Sequence, residues 1–327
     1  MQVTEQAATP RILITGATGF VGQALCHVLI GQNFSVRVLL RDLSQAPLIP
    51  PGLNAECVQG DLSNVDSLRA ACMDRDAVIH LAGVAHVGNG PANQSHKINV
   101  EGTRNLVNTA IEQKLSRFIL LSSSLAQAAE RGAGDVTRYG AEKLAAERLL
   151  QNAARGSALS YLILRPVNVY GAGMKGNIAR MISLIHRKRL PRLPQLNSRI
   201  SLLGVKDLAA ALLLALNASD ITAKTYTVTD GQQYPIVDIE QAIYLALNKQ
   251  LPRWRTPAVV LYVAAAVAGG LARLWRGGGG ISRRTYRNLT MDNLLDNDEI
   301  CQQLGFRPST TLYQALPEIV EKIVNPK

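Results

Sequence analysis

Two side chains in this sequence, Tyr139 and Lys143, have the types and the spacing for proton transfer to a substrate oxygen. They are four residues apart in a stretch that predicts a helix, so both lie on one face of it. A phenol accepts or gives a proton near neutral pH when a neighbouring cation lowers its pKa from about 10. Tyr139 alone among the nine tyrosines has a lysine four residues later. We therefore expect it to be the acid–base group of a hydride-transfer reaction.

A glycine-rich turn is the second feature with a chemical use. Gly16, Gly19 and Gly22 follow the apolar run Ile12-Leu13-Ile14 and lead into residues 23–30, which favour a helix. Glycines at a strand-to-helix turn permit a tight bend, close approach of a pyrophosphate and close packing of helix on strand. The first amides of the helix and its dipole would attract the phosphates. The turn predicts a dinucleotide site, with a simple tight turn as the alternative.

Strands and helices alternate around these two features. Apolar runs predict strands at residues 12–14, 35–40, 55–59, 77–83, 117–121, 161–164 and 226–228, and helices at 64–72, 96–114, 137–154 and 207–216. This alternation predicts βαβ units and a parallel sheet. We expect an α/β fold, a Rossmann-type doubly wound parallel sheet with a smaller C-terminal substrate domain. The expected dinucleotide-binding domain is 1–170, with 198–230 returning to it, and the substrate domain is 171–327.

The end of the predicted second strand bears on the choice of cofactor. Arg41 and Asp42 stand there, about 20 residues past the glycine turn, where a dinucleotide fold contacts the adenosine ribose. An acid at this place binds the 2′-hydroxyl of NAD, whereas an arginine accommodates the 2′-phosphate of NADP. Because Arg41 is at the strand tip, we expect NADP or NAD, with NADP favoured.

Seven short motifs together resemble the extended short-chain dehydrogenase/reductase family, over residues 11 to about 216. Within that family the chain is most similar to the NAD-dependent epimerase/dehydratase branch, whose members act on nucleotide sugars. The motifs, in chain order, are Thr15-Gly-Ala-Thr-Gly-Phe-Val-Gly22, Gly60-Asp61-Leu62, His80-Leu-Ala-Gly83, Asn99-Val-Glu-Gly-Thr103, Ser122-Ser123, Tyr139-Gly-Ala-Glu-Lys143 and Arg165-Pro-Val-Asn-Val-Tyr-Gly171.

The resemblance implies roles for individual residues. Ser123, Tyr139 and Lys143 would be catalytic, with Ser123 holding the reacting oxygen and Ser124 as the fallback. The residues implied to bind the cofactor are Gly16, Thr18, Gly19, Phe20, Val21, Gly22, Arg41, Asp61, Leu62, Leu81, Ala82, Gly83, Asn99, Tyr139, Lys143, Pro166 and Val167. The residues implied to bind the substrate are Ser123, Ser124, Asn168, Lys175, Asn177 and Arg199.

The loop before Tyr139 departs from the family pattern. Ser123 and Tyr139 are closer in sequence than is usual for the extended enzymes, and Leu125-Ala126-Gln127-Ala128 stands where they carry a turn that lines the sugar pocket. This difference concerns the choice of sugar more than the hydride chemistry.

Composition excludes several other classes of protein. The four cysteines show no CxxC spacing and the five histidines no metal-ligand spacing, so we expect reduced thiols and no metal site. The start of the chain lacks the apolar core of a secretory signal, which predicts a cytoplasmic protein. The net charge is +11, and residues 241–291 contain eight basic residues and no acidic one. Since no nucleic-acid-binding module is recognisable, we expect an anionic small substrate and no nucleic acid.

One stretch leaves membrane contact open. Residues Thr256–Ala272 carry no charge and lie between arginines, with Trp254 and Trp275 at the two ends. This pattern fits a packed helix of the substrate domain. It also fits a helix lying on an anionic membrane surface, which would make the protein peripherally membrane-associated. A homodimer is compatible with the sequence.

These observations and the resemblance predict an NAD(P)-dependent enzyme acting at C4 of a nucleotide-linked hexose. The specific prediction is a UDP-4-keto-6-deoxyhexosamine 4-reductase of surface-polysaccharide (O-antigen, lipopolysaccharide) synthesis. The alternatives are a UDP-hexose 4-epimerase, an isomerase that retains NAD, and a non-catalytic dinucleotide-binding sensor. Tyr139, Lys143 and the adjacent serines argue against the sensor, and the cationic C-terminal half argues against a reductase of steroid-like alcohols.

Overall fold

Parallel strands dominate the structure, as the alternating sequence pattern predicts. The strands are β1 (Arg11–Thr15), β2 (Ser35–Leu40), β3 (Ala55–Gln59), β4 (Ala77–His80), β5 (Arg117–Leu121), β6 (Ser160–Pro166), β7 (Asn168–Tyr170), β8 (Arg199–Gly204), β9 (Lys224–Val228) and β10 (Gln233–Pro235). Seven form a parallel sheet in the order β3-β2-β1-β4-β5-β6-β9, and β10-β8-β7 form a second sheet. The strand order reverses between β1 and β4, which is the doubly wound, Rossmann-type arrangement.

Helices connect the strands, and polar caps set where several of them begin. They are α1 (Phe20–Leu29), α2 (Val65–Cys72), α3 (Ala92–His96), α4 (Thr103–Glu112), α5 (Ser124–Glu130), α6 (Arg138–Ala154), α7 (Asn177–His186), α8 (Val205–Asn217), α9 (Ile236–Ala246), α10 (Asp298–Leu304) and α11 (Leu312–Val324). The Asn64 side chain accepts from the Ser67 amide before α2, and the Thr137 hydroxyl accepts from the Gly140 amide before α6. Such caps satisfy amides that the first helical turn leaves unpaired.

The computed structural model describes residues 9–85, 92–132, 136–218, 220–257, 259–260 and 291–325. They fall into two units. The first comprises Met1–Pro166, Leu208–Val228 and Asp298–Phe306, and the second Val167–Asp207, Thr229–Asn297 and Arg307–Lys327. These bounds differ from the expected domains: residues 167–170, 198–207 and 229–230 belong to the second unit, and Asp298–Phe306 belongs to the first.

The core of the first unit explains why its sheet can position a site. Leu13, Val78, Phe118, Leu120 and Ile163, from four adjacent strands, are fully buried in one apolar cluster. Since the strands are parallel, their carboxyl ends lie along one edge of the sheet. The glycine turn after β1, the segment after β4 and the serines after β5 therefore share that edge.

The long helix predicted for residues 96–114 is wrong in its middle. The chain forms α3 and α4, and between them Lys97–Gly102 makes a turn of π-helix. A π turn holds one residue more than an α turn and often occurs at functional sites. Hydrophobic periodicity could not reveal it, because the buried positions of α4 alone already follow the α-helical spacing.

The second unit has a buried polar centre of its own. Asp230 accepts hydrogen bonds from the hydroxyls of Tyr234, at 2.6 Å, and Tyr170, at 2.9 Å. Removal from water is the main reason that the pKa of Asp230 is raised. These bonds link β7 and β10, the two edge strands of the three-stranded sheet, through Asp230.

Within the described residues, we find no helix that is both long and apolar enough to cross a bilayer. Most of the Thr256–Ala272 stretch, and Trp275 after it, lie outside the described residues. The predicted surface helix therefore stays a prediction.

Candidate active site

The glycine turn packs directly against the end of β4. Gly16 has φ +76°, and a Cβ at this position would lie 2.6 Å from the backbone nitrogen of Ala82. A Cβ on Gly22 would lie 2.2 Å from the carbonyl oxygen of Gly16. Neither glycine position has room for a side chain. The backbone of the glycine turn therefore packs closely against the first turn of α1 and the end of β4.

The beginning of α1 fits the phosphates of a dinucleotide. Gly19 is the N-cap residue and supplies no capping side chain, and the first turn contains no acidic residue. Thr18 is half-buried beside it, followed by Phe20 and Val21 in the first turn. Amides at a helix N-terminus attract anions, and here the glycine turn leaves them accessible to a phosphate.

A buried histidine ties the turn to the π-helical segment. The Thr15 hydroxyl lies 2.6 Å from Nδ1 of His80, and the Thr103 hydroxyl lies 3.0 Å from Nε2. Because Thr103 donates its proton to the Asn99 carbonyl at 2.8 Å, it accepts from Nε2 of the ring. His80 is thus neutral with its proton on Nε2. Burial lowers its pKa to about 3, and the nearby Lys143 acts in the same direction.

We expect His80 to make stability depend on pH. The unfolded chain protonates this ring below its ordinary pKa of about 6.5, whereas the folded protein resists protonation down to about 3. Its contribution is complete above pH 6.5 and is lost progressively as pH falls towards 3, by about 2 kcal/mol between pH 7 and 5. Urea unfolding at the two pH values measures it. His80→Gln should lose this pH dependence of the free energy of unfolding, whereas replacing the exposed His27 by glutamine should retain it. If both variants lose equal amounts of stability between pH 7 and 5, His80 is not the group responsible.

The first turn of α6 is held against the first turn of α5. A Cβ on Gly140 would lie 2.4 Å from the carbonyl oxygen of Leu125, so only glycine permits this approach. Tyr139 precedes Gly140, and Ser123 is the N-cap of α5. The glycine next to the candidate acid–base tyrosine therefore brings that turn towards the end of β5.

Lys143 is buried, and its ammonium has a defined partner. Nζ donates to the carbonyl of Leu121, the last residue of β5, at 2.8 Å. A Cβ on Gly83 would lie 3.4 Å from Nζ, so the segment after β4 also passes close by. Burial lowers the pKa of Lys143 to about 8, while Glu147 and Glu142 oppose the shift. At neutral pH the side chain remains mainly protonated.

Tyr139 differs from the sequence-based expectation in its pKa. Its ring centroid lies 6.0 Å from Nζ of Lys143, as the four-residue spacing predicts. The pKa of Tyr139 is nevertheless raised to about 12, because removal of the phenol from water, with a further contribution from Glu142, disfavours the phenolate. In this state the phenol keeps its proton.

The serines after β5 occupy two different environments. Ser122 is buried and donates to a carboxylate oxygen of Glu147. Ser123 is half-buried, and its hydroxyl oxygen accepts from the Leu125 amide at 3.2 Å. A hydroxyl that accepts one bond still has its own proton to donate. Ser124 follows as the first residue of α5.

The sequence did not predict a buried cluster of charged side chains that joins β6 to α6. Arg165, on β6, donates to both carboxylate oxygens of Glu147, at 2.9 and 3.1 Å from Nε, and to Glu130 at 2.9 Å. Arg165 and Glu147 are both buried. The signal available in the sequence was Glu147 four residues after Lys143, which places both on one helix face.

Asn99 connects the π turn, α6 and the segment after β4. Its oxygen accepts from the Val84 amide at 2.8 Å, and its nitrogen donates to the Val84 carbonyl and to Glu142. Burial would raise the pKa of Glu142, but hydrogen bonds from Asn99, Ser95 and Arg138 hold it below its ordinary value. Asn99, which the sequence predicts to bind the cofactor, thus contacts the backbone of the segment after β4.

The adenosine end of the expected site has an exposed cation. Arg41 is exposed at the end of β2, whereas the Asp42 carboxylate accepts from the Ser44 amide at 2.9 Å. Asp61 is half-buried and accepts from both the amide and the hydroxyl of Ser63, which lowers its pKa. Leu62, Leu81 and Ala82 are half-buried.

The remaining predicted residues are spread over both units. Pro166 ends β6 and Val167, the first residue of the second unit, is buried. In the second unit Asn168, Lys175, Asn177 and Arg199 are exposed. Arg199 pairs with Asp292 at 3.3 Å and donates to Gln233 at 2.8 Å. Among the described residues no group of three acidic, histidine or cysteine side chains has the arrangement of a metal site.

Comparisons with known proteins agree with this geometry. The model of the NAD dependent epimerase/dehydratase family matches residues 12–228. A UDP-glucose 4-epimerase of Vibrio cholerae is 27% identical over 76% of this chain and 79% of its own length. A ceramide reductase of Caulobacter vibrioides is 30% identical over 67% of both chains.

Structural similarity extends over nearly the whole chain. A UDP-glucose 4-epimerase from Thermotoga maritima, solved with UDP-glucose, superposes with a TM-score of 0.74 at 21% identity, covering 95% of this chain and 97% of that one. That identity supports the fold alone, whereas the family match carries the assignment and confirms the resemblance. The chain belongs to the NAD-dependent epimerase/dehydratase family, within the extended short-chain dehydrogenases/reductases.

Proposed function

We propose that this protein is an NAD(P)-dependent enzyme that reduces a carbonyl group at C4 of a nucleotide-linked hexose, with Tyr139 as the proton donor. The observation that carries the proposal is the pairing of Tyr139 with the buried Lys143. Ser123 would donate its hydroxyl proton to the same substrate oxygen. The ammonium of Lys143 would keep a positive charge near the Tyr139 ring. The phenol could then release its proton as negative charge develops on the substrate oxygen.

The cofactor fits the residues of the glycine turn. The close-packed glycines leave room only for backbone, and the α1 amides would hold the pyrophosphate. Arg41 supports NADP, because Asp42 is already engaged as a cap while the arginine is exposed. A bound nicotinamide would supply the hydride. Lys143 and the backbone at residues 81–83 would hold its ribose side.

The protonated form of Tyr139 is the form that the proposed reduction uses. A raised pKa keeps the phenol protonated at neutral pH, which is the form that gives a proton to a carbonyl oxygen. An epimerase must begin by removing a proton from an alcohol, which needs the phenolate. Tyr139, Lys143 and Ser123 would serve a 4-reductase and a 4-epimerase that retains NAD alike, so the assay below decides between them.

The proposed substrate class rests on the relatives and on the cations of the second unit. The Vibrio cholerae relative is named for UDP-glucose, and two structural neighbours are titled as complexes with NAD together with a UDP-sugar. Lys175 and Asn177, exposed before and at the start of α7, would bind the diphosphate. Arg199 would have to leave its ion pair with Asp292 to bind the diphosphate, so we rank Arg199 below Lys175 and Asn177.

The first test is a reduction assay. Purified protein is mixed with a UDP-4-keto-6-deoxyhexosamine and NADPH or NADH, and loss of the reduced nicotinamide is followed by absorbance. We expect stoichiometric oxidation, faster with NADPH. Faster reaction with NADH would overturn the role of Arg41. No oxidation, together with interconversion of UDP-hexoses by protein carrying NAD, would replace the reductase by the epimerase.

A second candidate has one specific observation in its favour. The ceramide reductase match is 30% identical over 67% of this chain, against 27% over 76% for the UDP-glucose 4-epimerase match. A reductase of lipid ketones would use the same tyrosine and lysine. Oxidation of NADPH with a long-chain keto lipid, and none with the UDP-keto sugar, would decide for it.

A further inference from the structure

Two segments of the second unit are hydrogen-bonded side by side. The Lys249 ammonium donates to the His186 carbonyl at the end of α7. The Arg192 guanidinium donates to the Pro252 carbonyl at 2.8 Å, and the Thr256 amide donates to the Arg192 carbonyl at 3.0 Å. We call residues 186–192 and 249–257, with 259 and 260, the cationic surface.

Charge on the cationic surface has one sign. It contains seven lysines and arginines and no acidic residue; they are Arg187, Lys188, Arg189, Arg192, Lys249, Arg253 and Arg255. Four of them, Arg187, Lys188, Arg189 and Arg253, are exposed. None of the seven takes part in the ion pairs formed by the described residues. Such a concentration of cations attracts an anionic partner.

Large apolar side chains are exposed on the same surface. Trp254 is 67% exposed, Val259 71% and Val260 51%. Trp254 stands between Arg253 and Arg255 in the sequence. Exposed tryptophan and aliphatic groups beside arginines are typical of surfaces that lie in the headgroup region of a bilayer.

Three buried polar atoms without hydrogen-bond partners lie in the two segments, out of contact with solvent. Among the described residues, the buried side-chain polar atoms that lack a hydrogen bond are Nε of Arg192, Nη1 of Arg255 and Oγ1 of Thr256. All three belong to the two paired segments. Buried polar groups without a partner are rare and call for an explanation such as a bound ion. The buried Glu240 carboxylate, which accepts from the Leu193 amide at 2.7 Å, lies close enough to Arg192 and Arg255 for their charges to oppose the rise that burial causes in its pKa.

We propose that the cationic surface docks on an anionic membrane, where lipid phosphates meet the exposed charged groups of Arg187, Lys188, Arg189 and Arg253. The exposed cations would contribute the electrostatic attraction, and Trp254 with the two valines would enter the headgroup region. A nucleic acid would be attracted by the same charge, but it would leave the valines in water. The inference is independent of the proposed reaction, because it concerns where the enzyme is and not what it reduces.

The test is vesicle co-sedimentation of the full chain. We expect binding to vesicles of phosphatidylcholine mixed with phosphatidylglycerol and not to phosphatidylcholine alone. Each lysine or arginine near an anionic surface strengthens partitioning about fivefold, so Arg187→Gln/Lys188→Gln/Arg189→Gln should bind roughly 100-fold more weakly. The matched control removes three exposed arginines of the first unit, Arg104, Arg131 and Arg155, and should bind as the wild type does. Equal losses in the two triple variants would overturn the proposal.

Thr256→Val is a control for the buried part of this surface. Its hydroxyl is buried without a hydrogen-bond partner, so valine should raise thermal stability and leave vesicle binding unchanged. A loss of vesicle binding in this variant would overturn docking through the exposed cations. Wild-type protein that binds RNA but not anionic vesicles would overturn the membrane as the partner.

Discussion

Replacing Tyr139 by phenylalanine should lower kcat by roughly 10²- to 10⁴-fold while leaving the affinity for the reduced cofactor nearly unchanged. The substitution removes only the hydroxyl, so Gly140 still packs on Leu125 and Lys143 still donates to the Leu121 carbonyl. The proton that must reach the substrate oxygen then has no donor at this position. Steady-state reduction of the keto sugar measures kcat, and quenching of protein fluorescence on titration with NADPH measures cofactor affinity.

Tyr313→Phe is the matched control for this variant. Tyr313 is an exposed tyrosine of α11 in the second unit, and its loss of a hydroxyl should leave kcat within about twofold of the wild type. If Tyr139→Phe keeps more than a tenth of the wild-type kcat, another group donates the proton. If it loses cofactor affinity to the same extent as kcat, Tyr139 has a binding role and not an acid–base role.

Replacing Arg165 by methionine should destabilise the protein by about 3–5 kcal/mol. Methionine removes the guanidinium that bonds both oxygens of Glu147, which is fully buried. The buried carboxylate then keeps its hydrogen bond from the Ser122 hydroxyl and the more distant charge of Lys143, but loses the cation that bonded both of its oxygens. The free energy of unfolding in urea at pH 7 measures the effect.

Two further variants decide whether the effect comes from the uncompensated charge. Arg165→Met with Glu147→Leu removes both charges and should recover most of the lost stability, since apolar pairs often replace buried ion pairs well. Arg69→Met breaks half-exposed pairs with Asp66 and Glu112 and should cost less than about 1 kcal/mol. A double variant no more stable than Arg165→Met would show that packing, and not charge, dominates.

Features that depend on neighbours in sequence were predicted well. The second, third and fifth strands begin and end where the apolar runs do, because each run is bounded by turn residues within a few positions. The glycine turn was predicted for the same reason. Its three glycines meet backbone at Ala82 and Gly16, so the packing they require leaves a trace in the sequence itself.

Features that depend on distant partners were not predicted. Arg165 and Glu147 meet across the packing of β6 on α6, and Arg199 and Asp292 are 93 residues apart. The pKa of Tyr139 was expected to fall because Lys143 is near, but it rises because the fold removes the phenol from water. Burial is a property of the assembled core, and no local pattern of residues reports it.

The π turn at Lys97–Gly102 has a consequence for which changes of length the chain can accept. An extra residue in one turn rotates everything before it by about 100° relative to a regular helix. On one side of the turn Asn99 reaches Val84, while on the other Leu106 and Val107 remain in the core. Deleting the exposed Glu101 would restore a regular helix. Either Asn99 would then turn away from Val84, or Leu106 and Val107 would turn away from the core. The number of residues in this segment is therefore constrained, because both the contacts of Asn99 with the segment after β4 and the packing of α4 in the core depend on it.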